Sequence, residues 1–140
     1  TIMEDGTLIS AYMSGLSGSR VYWSSVDLST FTFLETGQID PGNSSSENHP
    51  SISSSGDWLV AAWERNSGGY NIMVAVSNAG PQAFEMSVVN VTEGLSGHNR
   101  HPSVVYDGEY IHLAYQNAES GVVHYVKGEI SGRILVDLNK

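Results

Sequence analysis

His49-Pro50-Ser51-Ile52 returns as His101-Pro102-Ser103-Val104, and these two copies set the period on which the whole chain is read. Each copy runs on into a glycine and then an apolar strand ending in an aromatic: Gly56 before Trp58 to Trp63, Gly108 before Tyr110 to Tyr115. The opening residues fit the same template, with Gly6 before Leu8 to Tyr12 and with Thr1-Ile2 falling where Ser51-Ile52 and Ser103-Val104 fall. Self-similarity at a period of about 50 residues marks a repeat architecture.

Past each aromatic comes a polar loop containing glycine, at Met13 to Ser19, Glu64 to Tyr70 and Gln116 to Gly121. A second apolar run follows at Val21 to Ser24, Asn71 to Val76 and Val122 to Val126, and a third at Phe31 to Glu35, Phe84 to Val91 and Ile134 to Leu138. These runs are short, rich in valine, isoleucine and aromatics, and bounded by Gly, Ser, Asn and Asp, which is a strand pattern and not a helical one. Leu59-Val60-Ala61-Ala62-Trp63 is continuously apolar, as expected of a strand covered on both faces. Four short strands per unit is the make-up of a propeller blade. The expected fold is all-β, a β-propeller array of three four-stranded blades, with blade 1 at 1–40, a linker at 41–48, blade 2 at 49–97 and blade 3 at 101–140. The segment Thr36 to Asn48 is expected as an exposed loop.

The run Pro50 to Gly80 resembles a blade of the sialidase-like propellers that carry bacterial neuraminidase repeats. Such blades end in an Asp-box, S-x-D-x-G-x-T-W, a turn braced by its own polar side chains. Ser77 to Phe84 keeps the serine and the aromatic of that box but lacks the Asp, the Gly at its place and the Thr; Ser25 to Ser29 keeps Ser and Asp, with Phe31 and Phe33 out of step. The third unit, at Lys127 to Arg133, has no recognisable box. The resemblance implies a propeller, and in that family the Asp-box is structural and distant from the active site. A sialidase also needs three convergent arginines, whereas Arg20, Arg65, Arg100 and Arg133 do not recur at equivalent positions.

Composition narrows the function. Fifteen acidic residues against six basic ones give a formal charge of -9, a surface that repels a phosphate backbone, so nucleic acid is excluded as a partner. With no cysteine there are no disulfides or thiolate metal sites. No apolar run has the length of a membrane span and no leader pattern is present, so a soluble chain without membrane contact is expected, in an undetermined compartment. No cofactor and no metal site is expected.

In propellers, ligands gather where the loops entering the inner strands and those between the second and third strands meet. That places His49, Trp63, Glu64, Arg65, Asn66, Tyr70, Arg100, His101, Gln116 and Asn117 at one mouth, with His98 and Glu119 nearby. Tyr12, Trp63 and Tyr115 end equivalent strands and are either sugar-stacking platforms or blade-to-blade core. His49 and His101 titrate in the range of a base or ligand, or cap the turn before each proline. His112 and His124 lie on adjacent strands and can pair, but no third ligand accompanies them.

Tyr70 with Glu64 is a candidate nucleophile pair, though such a coincidence is cheap in a loop-rich chain, and a two-carboxylate glycosidase needs a defined pair across the mouth, which sequence alone does not show. The expected function is therefore recognition of carbohydrate without catalysis, the alternatives being a glycosidase-like enzyme or a protein-interaction scaffold. Three blades are too few to close a ring. A homodimer completing a six-bladed ring is expected to cover the two open end faces, the alternative being that the chain is a piece of a longer propeller whose other blades cover them.

Overall fold

Within each sheet every strand pairs with the next in sequence, so every sheet is a meander of contiguous sequence. The computed structural model describes residues 1–15, 18–42, 44–131 and 134–137. Among these it is all-β, with three antiparallel sheets, one short 3-10 helix and no α-helix. Sheet 1 joins β1 (Thr7–Ser14), β2 (Arg20–Asp27) and β3 (Thr32–Gln38). Sheet 2 joins β4 (Ser46–Ser55), β5 (Trp58–Asn66), β6 (Tyr70–Ser77) and β7 (Val89–Asn90). Sheet 3 joins β8 (Asn99–Tyr106), β9 (Tyr110–Asn117), β10 (Val123–Ser131) and β11 (Ile134–Asp137).

The core lies between sheets. Leu59, Ala61 and Trp63 of β5 point into a buried cluster with Ile9, Val21, Trp23, Ile39, Met73, Ala75 and Phe84. Val60 and Ala62 point the other way, into a second cluster with Ile72, Val74, Val104, Tyr106, Ile111, Leu113 and Tyr115. Sheet 2 is thus packed on both faces, which is why its central strands are apolar without alternation.

Several expectations are corrected. Sheet 1 has three strands, its fourth place taken by an isolated bridge from Ile2 to Leu8, with Thr1 and Ile9 exchanging two backbone bonds of 2.9 Å. Of residues 84–91, expected as a strand, the first half belongs to the 3-10 helix Pro81–Ser87, leaving only the two residues of β7 as strand. Pro81 starts it, Phe84 is completely buried, and the Ser87 hydroxyl replaces a ladder by bonding the N–H of Val76 at 2.9 Å. The expected linker is shorter than 41–48, because β4 begins at Ser46, and likewise β8 begins at Asn99. Ile39, inside the expected exposed loop, is buried. His112 and His124 do not face each other: Lys127 is opposite His112, and Tyr115 is opposite His124.

The first strands of sheets 2 and 3 lie side by side without a ladder. Ser51 accepts from the N–H of Val104 at 3.1 Å, and Ser53 from the N–H of Tyr106 at 3.0 Å. The serines of the SISSS run thus satisfy donors that an edge strand would otherwise leave open. Within each of these strands the His-Pro pair forms a bulge, with ladder pairing broken between Asn48 and Ser51 and between Arg100 and Ser103. Proline has no N–H for the ladder, and the histidine before it takes up the extra residue at φ 49 for His49 and φ 55 for His101.

The turns between first and second strands use Gly6, Gly56 and Gly108 at φ 84, 55 and 102. The one at Gly108 is braced by Asp107, whose carboxylate accepts from the N–H of Tyr110 at 2.7 Å and of Glu109 at 2.8 Å and meets His112 Nε2 at 2.9 Å. The Tyr110 N–H above all, then His112 and the Glu109 N–H, hold this carboxyl far below the usual carboxylate range.

Two outcomes follow for chemical denaturation. Gly108→Ala forces a side chain onto positive φ with its Cβ 3.1 Å from Ser55 Oγ, and is expected to cost about 1–2 kcal/mol. A folded-state pKa below the unfolded one contributes stability that is fully present above the unfolded value and is lost as pH falls from there down through the folded value. Asp107→Asn is therefore less stable than the native chain at neutral pH, with a gap that closes below about pH 4. A gap independent of pH would contradict this account.

Candidate functional site

Alternation along β5 divides the expected site residues between two sheet interfaces. Residues 63 and 65 of a strand share one face and residue 64 takes the other. Trp63 and Arg65 accordingly face sheet 1. Trp63 is completely buried and its Nε1 donates to Glu47 Oε1 at 2.8 Å. Arg65 meets the same carboxylate at 3.3 Å and is paired with Asp40. Glu47 is itself buried, and its N–H donates to Ser19 O at 2.8 Å. This is a joint between sheets 1 and 2, so Trp63 is core and Arg65 is a structural ion pair, not part of an open mouth. Nor is Tyr12 the equivalent of Trp63 and Tyr115. It lies six residues past its turn glycine where they lie seven past theirs, which puts it on the opposite, exposed face.

Glu64 faces sheet 3, and there most of the remaining candidates do meet. Its carboxylate is completely buried. Oε1 accepts the N–H of His101 at 2.7 Å and lies 3.0 Å from His49 Nδ1 and 3.7 Å from His101 Nδ1. Oε2 accepts from Arg100 Nε at 3.3 Å. The two imidazoles approach edge to face at 4.7 Å. The Arg100 guanidinium lies 4.3 Å over the Tyr70 ring, a cation–π contact, and the Tyr70 N–H donates to His98 Nδ1 at 3.2 Å. Burying a carboxylate is costly unless it is paired and hydrogen-bonded, and these contacts supply both.

Beside this cluster, the loops around sheet 3 enclose a cleft of about 470 Å³ lined by Leu95, Ser96, Asn99, Asn117, Glu119, Ser120 and His124. Asn117 organises it: its Nδ2 donates to Ser96 O at 3.2 Å, and its Oδ1 accepts the N–H and hydroxyl of Ser120, both at 3.0 Å. Asn99 is 1% exposed and its Nδ2 has no hydrogen-bond partner among the described residues. Gly97 closes the cleft edge at φ 85, where a Cβ would sit 2.8 Å from Asn117 Nδ2. The His124 ring stacks on Tyr115 at 5.2 Å and 18°. A shallower hollow of about 290 Å³ is lined by His101, Ser103, Ala114, Tyr115, Gln116 and Val123. Gln116 thus lines this hollow and Asn117 the larger cleft, while Asn66 is exposed at the end of its hairpin. Asn99, Ser96 and Leu95 were not legible as site residues, since nothing in ThrGluGlyLeuSer before His98 distinguishes a lining loop from any other.

Comparison with known proteins adds little to this geometry. No protein-family model matches the chain, and no curated protein sequence matches it. Among solved structures, the chain is similar to the alpha-L-arabinanase of Cellvibrio cellulosa complexed with arabinohexaose, with 15% identity and a TM-score of 0.40. The match covers 90% of this chain and 56% of that one, so this chain spans little more than half the length of the arabinanase. A likeness of that size does not bear on what this chain binds.

The two faces of β5 are separable by mutation. Trp63→Phe keeps an aromatic ring but loses the bond to Glu47 and part of the buried indole volume, and is expected to cost about 1–3 kcal/mol in denaturant titrations. Glu64→Ala strips the counter-charge from Arg100, and a loss of about 3 kcal/mol is expected. Equal, negligible costs would show that neither carboxylate secures its joint.

Proposed function

We propose that the chain is a carbohydrate-binding module that takes neutral oligosaccharide into the cleft between Asn99, Asn117, Glu119 and His124, on sheets that are successive blades of a β-propeller. The observation that carries this reading is the lining itself: planar amide and carboxylate groups at Asn117 and Glu119, with Asn117 held by Ser96 and Ser120, beside the flat His124 ring. Vicinal hydroxyls call for fixed planar acceptors and donors, and a sugar's C–H face calls for a ring. The charge of -9 and the commitment of Arg100 to Glu64 and Tyr70 favour a neutral ligand over an anionic one.

Binding is favoured over hydrolysis because Glu119 is the one carboxylate among the described residues that line the cleft, and glycosidases of the common type act with two. An array of neutral oligosaccharides, followed by calorimetry on the hits, tests the proposal. Glu119→Gln and His124→Ala are each expected to weaken binding about tenfold, near 1.4 kcal/mol, while Trp63→Phe leaves affinity unchanged. Absence of any neutral glycan ligand, or turnover of fluorogenic glycosides, would overturn it.

Closure of the ring belongs to the same proposal. Ile9, Val21, Trp23, Ile111 and Leu113 are buried against sheet 2 and are not available to a second chain. Val105, Val122, Val123 and Tyr125 at sheet 3 remain half or more exposed, as do Phe33 and Leu34 at sheet 1. We propose that a second copy covers these apolar positions, giving six blades. Light scattering coupled to gel filtration should then find twice 15.1 kDa, and a monomer that persists on concentration would refute the dimer.

A further inference from the structure

The His49, Glu64 and His101 cluster has a property that sugar binding does not use. Its three donor atoms, two imidazole nitrogens and one carboxylate oxygen, all lie within 4.8 Å of one another. Metal–ligand bonds of about 2.0–2.2 Å at a tetrahedral angle place ligand atoms about 3.4 Å apart. The two separations from Glu64 Oε1, 3.0 Å to His49 Nδ1 and 3.7 Å to His101 Nδ1, bracket that value. From this geometry we infer that His49, Glu64 and His101 hold a divalent transition ion of the zinc type, with its outward coordination position open to solvent or to a ligand.

The site is built and not merely crowded. Glu64 is completely buried, its Oε2 is engaged by Arg100, and its Oε1 is aimed by the His101 N–H at the two rings. The imidazoles themselves are 48% and 54% exposed, so an ion seated on Oε1 has protein on its inner side only. Three protein ligands with one open position is the arrangement of catalytic zinc sites, and two imidazoles with one carboxylate suit zinc, cobalt, nickel or copper better than calcium or magnesium. Both histidines reach the site from the same device, a left-handed residue in a Pro-locked bulge, one from each of two adjacent sheets. A single sheet supplies only one of them, so the ion also ties sheet 2 to sheet 3. Arg100 offsets the Glu64 charge, while the chain as a whole carries a formal charge of -9, which attracts cations over anions.

Metal-free protein titrated with Co²⁺ is the direct test, read by the visible ligand-field absorption, with Zn²⁺ calorimetry in parallel. One ion per chain is expected, displaced by Zn²⁺ and not by Mg²⁺ or Ca²⁺. His49→Asn and His101→Asn, chosen because asparagine tolerates positive φ, are each expected to weaken binding by about tenfold or more, with circular dichroism unchanged. His112→Asn, at a histidine outside the cluster, should bind as the native chain does. No saturable Co²⁺ signal, or affinity unaffected by His49→Asn and His101→Asn, would overturn the site. Because no sugar enters the assay, its failure leaves carbohydrate binding standing, and failure of carbohydrate binding leaves the ion site standing.

Discussion

Burial of β5 on both faces is the constraint on which the rest of the molecule depends. With Leu59, Ala61 and Trp63 packed toward sheet 1 and Val60 and Ala62 toward sheet 3, the strand has no solvent side and no tolerance for a register slip. Its last residues inherit that alternation. Trp63 and Arg65 end at one interface and Glu64 at the other, so two buried carboxylates, Glu47 and Glu64, each lock one pair of sheets. The polar joints sit at the same end as the loops, where the sheets would otherwise splay.

The inner strands solve a different problem. A meandering sheet has an open first strand, and β4 and β8 lie close enough to clash or to compete for donors. Serine hydroxyls on β4 take the donors of β8, and the His-Pro bulges remove two more ladder positions just where the strands reach the polar end. The strained histidines and the buried glutamate are therefore one structure: the His101 N–H that the bulge turns away from the ladder is the N–H that Glu64 accepts. Glu64 is fixed by the same bulge that presents the rings.

Much of this was written in the chain. The recurrence of His-Pro-Ser with its turn glycine located the repeat, and the three glycines do occupy positive φ. Short β-branched runs between turn residues pointed to strands rather than α-helices, although one expected strand is largely replaced by the 3-10 helix Pro81–Ser87. The sequence also placed Glu64, Tyr70, Arg100, His49 and His101 in one neighbourhood, since equivalent loops of stacked repeats must gather at one end. At the turn after β6 the Ser77 hydroxyl donates to Gly80 O at 2.6 Å and Phe84 is buried.

What sequence could not assign was face and partner. Period-two alternation says that neighbours point opposite ways but not which way faces which sheet, so Trp63 and Arg65 were grouped with Glu64 although they serve a different joint. A one-residue difference in length separates Tyr12 from Trp63, and counting from the wrong landmark moves an exposed ring into the core. The replacement of an expected strand by the helix Pro81–Ser87 turned on whether Phe84 found a cavity between sheets, a fact of packing alone. Local chemistry determined the strands, turns and bulges, because propensity and missing donors act within a few residues. Tertiary structure decided the site, because His49 and His101 become neighbours only when two separately formed sheets stack with their bulges in step.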